Sequence, residues 1–200
     1  MVAPCVGGTP TCKYGEGLAV GWRALHGQRV AFPFGHGLSY TTFDFSWLSP
    51  PHARLSAADL FSSLKPTDLG TDTAPPDNAL AATTHGASPS AAFTVRVRNV
   101  GNASGSEVVQ LYVEFPQEAG EPPRVLRAFR KTKLLAPGEA TDVTLSLSMR
   151  DLAVWAPAGG ERGDGGWAPI SGRFGVVVGA SSRDERLRGS VSTSFAAPSR

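Results

Sequence analysis

The 200-residue chain carries 19 basic and 17 acidic residues, a formal net charge of +2, and its basic side chains are scattered along the sequence. This balance excludes the concentrated basic surface of a nucleic-acid-binding protein, and no apolar run approaches the roughly 18 residues of a membrane span. Glycine (23 residues) and proline (16 residues) favour a turn-rich β protein over a helical bundle.

Both cysteines lie near the start of the chain, Cys5 and Cys12 in the stretch APCVGGTPTCKY. The Gly-Gly pair and the proline between them favour a turn that would bring the two thiols together. Two interpretations stay open: a disulfide, which requires an oxidising compartment, or two unrelated thiols. The spacing does not fit a zinc motif, so no metal is expected. The first ten residues lack the basic and apolar regions of a signal peptide.

The stretch FPFGHGLSYTTFDF, residues 32–45, predicts an aromatic turn that leads into a strand. Pro33 has a fixed φ and no backbone N–H, and Gly35 and Gly37 permit positive φ, so the first half is not helical. The Thr, Tyr and Phe residues of 38–45 are strand-forming types. We call Phe32–Gly37 the aromatic turn.

The rest of the chain divides into two parts with different composition. Residues 49–91 are rich in Pro, Ser, Ala, Thr and Asp, which is typical of a linker or a surface insertion. Residues 92–197 contain five segments in which apolar and polar side chains alternate: AFTVRVRNV, SEVVQLYVEF, TDVTLSLSM, RFGVVVGA and RGSVSTSF. This period-two pattern, with turn residues between the segments, predicts an antiparallel β-sandwich. In the second segment Leu111 and Val113 lie on one face, and Gln110 and Tyr112 on the other.

Six segments, in order along the chain, resemble the C-terminal end of glycoside hydrolase family 3, the β-glucosidase and β-xylosidase family. They are Tyr14–Arg23, Phe32–Phe43, Val95–Val113, Leu126–Glu139, Asp151–Trp155 and Gly172–Ser182. The resemblance implies that 92–197 form an immunoglobulin-type, fibronectin type III-like sandwich. It also implies that 1–48 are the remnant of an α/β sandwich domain and its crossover strand, with 49–91 as the linker or insertion.

The resemblance further implies that the chemistry lies upstream of this chain. Retaining glycoside hydrolysis needs two carboxyl groups about 5 Å apart. In the family these groups belong to the barrel and to an earlier part of the second domain, so no residue here receives a catalytic role. Glu16, in YGEGL, is interpreted as a carboxylate that accepts hydrogen bonds from backbone N–H groups in a turn. No cofactor is expected, and the expected partners are the missing N-terminal catalytic domains.

Several residues are candidates for binding or modification. Phe32, Phe34 and Tyr40 are expected to fill the seam between the α/β domain and the sandwich. Asn102, in Asn-Ala-Ser, is an acceptor for N-glycosylation only if the chain is secreted, and the parent enzyme is expected outside the cell or in the secretory pathway. The alternative function is a free-standing sandwich that binds carbohydrate or protein through exposed aromatic rings, for which Tyr112 and the four tryptophans are the residues to check.

Overall fold

Ten strands and three short 3₁₀ turns make up the regular structure of the described residues, which contain no α-helix. This computed structural model describes residues 15–49, 51–56, 91–156 and 166–194, so Cys5, Cys12 and most of the predicted linker lie outside it. The strands are β1 (Phe43–Trp47), β2 (His52–Ser56), β3 (Ala91–Asn99), β4 (Val108–Glu114), β5 (Val125–Lys131), β6 (Ala140–Leu147), β7 (Ala153–Ala156), β8 (Gly166–Pro169), β9 (Gly172–Gly179) and β10 (Glu185–Ser194). The turns are Gly21–Arg23, Gln117–Ala119 and Arg150–Leu152.

Most of the described strands form two sheets that share one core. The first sheet has the order β1–β3–β6 and the second β2–β10–β9–β4–β5, while β7 and β8 pair as a separate hairpin. Neighbouring strands are antiparallel except β2 and β10, which are parallel. Phe93 and Leu145 from the first sheet meet Leu111 and Phe174 from the second in one buried cluster. The predicted β-sandwich is confirmed.

The alternation in the sequence explains which face of β3 is buried. Phe93, Val95 and Val97 are fully buried, whereas Arg96 and Arg98 are exposed. Because successive side chains of a strand point to opposite faces, one face of β3 enters the core and the other meets water.

Both faces of β4 are buried, in contrast to β3. Leu111 and Val113 enter the core, but Gln110 and Tyr112 on the opposite face are also buried, with exposures of 4% and 0%. A second layer of chain therefore covers the outer face of β4, and part of this layer is Trp22, which contacts the Tyr112 ring.

The sandwich includes two strands that precede residue 92. β1 pairs with β3 and β2 with β10, and Phe43, Phe45 and Leu55 are buried in the shared core. The strand predicted over 38–45 thus lies at 43–47, and a further strand lies inside the predicted linker. Each of these short strands buries only one or two large apolar side chains, which is too few for a clear period-two signal. We propose that the folding unit begins near residue 41.

A chain that starts at residue 92 should lose cooperative unfolding. Full burial of a Phe or Leu side chain contributes about 1.5–3 kcal/mol, so loss of Phe43, Phe45 and Leu55 together costs about 5–9 kcal/mol. This is comparable with the whole stability of a typical domain, about 5–15 kcal/mol. Urea unfolding followed by circular dichroism would check this, with a chain that starts at residue 41 as the control. Equal midpoints and slopes for the two chains would contradict the proposed start.

Candidate functional site

The aromatic turn and Trp22 form a layer over the outer face of β4. The rings of Phe34 and Trp22 are stacked, with centroids 4.7 Å apart and planes at 7°. Trp22 in turn meets Tyr112 in an edge-to-face contact at 6.1 Å. Both arrangements are favourable for aromatic pairs at these separations. The three rings connect the N-terminal part of the chain directly to the sandwich.

Gln110 fixes the position of the aromatic turn by hydrogen bonds. Its Nε2 donates to the carbonyl of Gly35 at 3.0 Å and to that of Ala180 at 2.7 Å, while its Oε1 accepts from the Tyr112 hydroxyl at 2.5 Å. Gly35 has a φ of +77°, and a Cβ at this position would overlap the Gln110 side chain. Glycine is therefore required there both by the backbone conformation and by the close approach.

The loop between β9 and β10 provides a second attachment point. The Ser182 N–H donates to the carbonyl of Phe34 at 2.9 Å. Arg124, which is buried, donates through Nη1 to the carbonyl of Ser182 at 2.9 Å and through Nη2 to Glu114 and Glu185 at 2.5 and 2.6 Å. Charge-assisted bonds of this kind are stronger than neutral ones. The loop that receives the aromatic turn is thus held by a buried guanidinium.

The guanidinium groups of Arg124 and Arg188 favour the ionised form of Glu185. Burial raises the pKa of Glu185, but hydrogen bonds from Arg124 and Arg188 outweigh that effect and hold the pKa below its usual value. Glu185 consequently stays ionised, and the ion pairs that Arg124 and Arg188 form with it persist at neutral pH.

A third attachment lies at the end of the N-terminal segment. The Thr41 hydroxyl donates to Oδ1 of the fully buried Asn99 at 2.6 Å. Asn99 Nδ2 donates to the carbonyls of Ala103 and Leu135 at 2.8 and 2.9 Å, so all its polar atoms are paired. The bond between Thr41 and Asn99 orients the chain just before β1 begins.

Residues 32–40, which these hydrogen bonds attach to the sandwich, also expose large apolar side chains. Phe32 is 72% exposed, Leu38 93% and Tyr40 98%, and Phe34 keeps 39% of its surface exposed despite its contact with Trp22. A cluster of exposed apolar side chains on a well-packed segment marks an interaction surface. The three predicted seam residues therefore lie on one short segment, and of these Phe34 stacks on Trp22, which in turn contacts Tyr112 of the sandwich.

A cleft of about 480 Å³ lies between this segment and the sandwich. Glu107, Asp184 and Arg186 bring charge to its wall. Burial raises the pKa of Glu107, although the N–H of Val108 donates to its carboxylate at 2.8 Å and opposes the effect. Arg186 donates to both carboxylate oxygens of Asp184, at 2.5 and 2.8 Å, and to the carbonyl of Phe43. Because Asp184 is held by Arg186, the cleft does not present it as a free nucleophile.

The other predicted residues lie apart from this site. Glu16 is exposed in the turn of residues 15–18, and among the described residues its carboxylate does not form the predicted bonds to backbone N–H groups. The turn is closed instead by the backbone, where the N–H of Ala19 donates to the Glu16 carbonyl at 3.0 Å. Asn102 is exposed in the loop after β3, and its glycosylation stays a prediction.

The described part of the chain contains neither a cluster of potential metal ligands nor a membrane-spanning helix. Its His, Cys, Asp and Glu residues nowhere form a group of three that could hold a metal ion. No helix within it is long and apolar enough to cross a membrane.

Sequence reasoning missed Gln110, Tyr112 and Arg124 as the residues that hold the aromatic turn. Period-two alternation places Gln110 and Tyr112 on the outer face of β4 but does not reveal that this face is covered. One signal was available: the outer face of β3 carries Arg96 and Arg98, whereas the outer face of β4 carries uncharged side chains at 108, 110 and 112 and a charge only at its last residue, Glu114. Charge is depleted where a strand face is buried.

The comparisons with known proteins agree on one family of enzymes. The family model described as fibronectin type III-like domain matches residues 107–182. A probable β-glucosidase L of Emericella nidulans is 37% identical over 180 residues, which are 88% of this chain and 22% of that protein. β-Glucosidase A of Butyrivibrio fibrisolvens is 34% identical over 87% of this chain and 19% of its own length.

Solved structures give the same result. The β-D-glucoside glucohydrolase of Trichoderma reesei superposes with a TM-score of 0.66 at 29% identity, covering 96% of this chain and 25% of that one. The β-glucosidase D2-BGL of Chaetomella raphigera gives a TM-score of 0.65 at 36% identity over 92% of this chain and 23% of its own. The chain therefore spans about a fifth to a quarter of the length of the proteins it matches.

Replacement of Tyr112 by Phe should destabilise the chain and remove part of its sensitivity to alkali. The variant leaves Gln110 Oε1 buried without its donor, which costs about 1–3 kcal/mol. Burial raises the pKa of Tyr112, so the folded state holds this proton more tightly than the unfolded state, where a Tyr pKa is about 10. The contribution of the Tyr112 hydroxyl to the free energy of unfolding is complete below about pH 10 and is lost as the pH rises further.

The measurement is the free energy of unfolding from urea melts between pH 8 and pH 11. The difference between the wild type and Tyr112→Phe should be constant at the lower pH values and should shrink above about pH 10. The exposed Tyr40, changed to Phe, is the control and should leave the pH dependence unaltered. A difference that stayed constant up to pH 11 would contradict the tight burial of the hydroxyl.

Proposed function

This chain belongs to glycoside hydrolase family 3 as a C-terminal portion of a β-glucosidase-like protein, and we propose that it stabilises the catalytic domains of that enzyme. The observation that carries the proposal is the asymmetry of residues 32–40, which comprise the aromatic turn and the three residues after it. One side is attached to β4 by Gln110 and Trp22, while Phe32 and Tyr40 on the other side are exposed. A surface of this kind is typical of one half of an interface.

The proposed partner of the exposed rings is the upstream part of the parent enzyme. Phe32, Phe34 and Tyr40 would fill the seam between the α/β domain and the sandwich. The attachments through Gln110, Ser182 and Asn99 would keep the rings in place before the partner arrives. Preorganisation of this kind lowers the entropic cost of association.

Hydrolysis of O-glycosyl bonds is proposed for the parent enzyme and not for this portion alone. The support is the sequence, in which no residue matches the family's catalytic carboxylates. Among the described carboxylates that line the cleft, Asp184 is held by Arg186, and Glu107 accepts a bond from the backbone. Location of the parent enzyme outside the cell or in the secretory pathway likewise remains a proposal, with which the exposure of the acceptor Asn102 is compatible.

A second candidate function is a free-standing binding module. Tyr112 is fully buried, and Trp22 and Trp47 are largely covered, so these rings do not form the exposed row that such a module needs. Trp155 is different because 57% of its surface is exposed. That single observation favours a carbohydrate contact, whether or not the catalytic domains are present.

The isolated 200-residue chain should not hydrolyse aryl β-glucosides above background. A retaining glycosidase needs two carboxyl groups in the same site, and we assign both to upstream domains. Release of the aryl group from a chromogenic β-glucoside is the measurement, and Glu16→Gln is the matched variant because Glu16 is the candidate carboxylate among the glycines. A measurable rate that disappears in Glu16→Gln would refute the assignment.

Replacement of Phe34 by Ala should cost less in this chain than in the full-length parent enzyme. A core Phe typically loses about 3–5 kcal/mol on truncation to Ala, but Phe34 is still 39% exposed. The upstream domains would bury the exposed part of the Phe34 side chain. Their addition should therefore raise the loss of unfolding free energy for Phe34→Ala to the value typical of a core Phe. The fully buried Phe93 is the control, because Phe93→Ala should cost the same in both contexts.

Denaturant melts of both proteins and both variants decide between the candidate functions. A core-sized loss for Phe34→Ala in the 200-residue chain would mean that the turn is already complete. That outcome would favour the free-standing module.

A further inference from the structure

A second aromatic surface lies on the hairpin of β7 and β8, which is separate from both main sheets. Trp155 and Trp167 are directly opposite each other on the two strands. Their rings meet at 76°, with centroids 5.7 Å apart. Trp167 is half-buried, whereas Trp155 is 57% exposed. The pair thus presents one indole ring to solvent and supports it with the other.

A cation holds the inner ring of this pair. The guanidinium of Arg150 lies over Trp167, 5.1 Å from the centroid. Its Nε is buried without a hydrogen-bond acceptor in the described part of the chain. The contact with the ring therefore contributes to stabilising the charge at this position.

The turn that carries Arg150 is itself rigid. The adjacent Asp151 is fully buried. Its Oδ2 accepts from both the backbone N–H and the hydroxyl of Ser148, each at 2.7 Å. These bonds fix the 3₁₀ turn that leads into β7. Arg150, Trp167 and Trp155 are consequently positioned before any ligand binds.

We propose that Trp155, supported by Trp167 and Arg150, is a stacking site for β-linked glucose oligosaccharides. The faces of a β-glucopyranose ring carry only C–H groups, because its hydroxyls are equatorial, and such a face complements the electron-rich face of an indole. The guanidinium of Arg150 lies over Trp167, so its role in the proposed site is to hold the ring against which Trp155 packs. The choice of glucose rests on the proposed function, since the stacking geometry alone suits any pyranose with one C–H face.

The chemistry of the hairpin distinguishes it from the seam. Phe32, Leu38 and Tyr40 expose three large side chains within residues 32–40, which suits a protein partner. The hairpin instead combines a tryptophan face with a cation. An indole face that is held rigidly and exposed to solvent is a surface on which the C–H face of a sugar ring can stack. We therefore assign protein contact to the aromatic turn and sugar contact to the hairpin.

Affinity electrophoresis of the full 200-residue chain in native gels that contain soluble mixed-linkage β-glucan tests the proposal. The wild type should be retarded relative to a gel without glucan, and the retardation should rise with glucan concentration. Trp155→Ala should weaken binding about tenfold, the loss expected for one strong stacking contact. Trp155→Tyr, which keeps an aromatic face, should retain part of the retardation.

Two controls make the result specific. Tyr40→Ala removes an aromatic ring that is even more exposed, and it should leave the retardation unchanged. Urea melts of Trp155→Ala should match the wild type, which would show that the hairpin change does not unfold the sandwich. Titration with cellopentaose, followed by the fluorescence of the tryptophans, gives an independent dissociation constant for each variant.

Three outcomes would overturn the proposal: a wild type that is not retarded, equal retardation of the wild type and Trp155→Ala, or equal losses for Trp155→Ala and Tyr40→Ala. If the hairpin instead contacts the upstream domains, glucan would not retard the wild type. Trp155→Ala would then weaken association with a separately expressed upstream region. The proposed stabilising function would survive each of these results, because it is tested by the melts of Phe34→Ala.

Discussion

Burial of Gln110 and Tyr112 beneath Trp22 and Phe34 is the constraint on which the N-terminal part of this structure depends. An amide that is removed from water must have its donors and acceptor paired, because each unpaired group costs about 1–3 kcal/mol. Gln110 finds its partners in Tyr112, Ala180 and Gly35. The aromatic turn can therefore lie over β4 in only one register, the one that brings the Gly35 carbonyl to the Gln110 amide.

The charged groups extend this constraint to the rest of the sheet. The loop between β9 and β10 binds Phe34. Arg124 links this loop to two carboxylates, that of Glu114 on β4 and that of Glu185 on β10. Breaking such a pair by removal of one partner leaves a buried charge, which costs more than the pair contributes in net stability. The network thus serves mainly to hold the loop between β9 and β10 in position under the aromatic turn.

The two exposed aromatic surfaces differ because their supports differ. Phe32 and Tyr40 lie on a backbone that is anchored by hydrogen bonds to the sandwich, and they expose large side chains to solvent. Trp155 is supported by an aromatic neighbour and by the cation of Arg150. Several exposed side chains along one segment suit a partner that brings its own matching surface, whereas a single rigid indole suits the C–H face of a sugar ring. One small domain can thereby serve both a structural and a binding role.

The sequence by itself determined the sandwich, because strands such as β3 place Phe93 and Val95 on one face and charges on the other, and this local pattern depends on pleating alone. Resemblance of six segments identified the family. Only the tertiary structure decided that β5 joins the edge of a sheet, since Ala128 is the sole buried residue of that strand. Only the tertiary structure decided, too, that Tyr112 is covered whereas Trp155 is exposed. Periodicity reports which side of a strand a residue occupies. Whether a distant segment covers that side depends on contacts between residues such as Gly35 and Gln110, 75 positions apart, which no local pattern records.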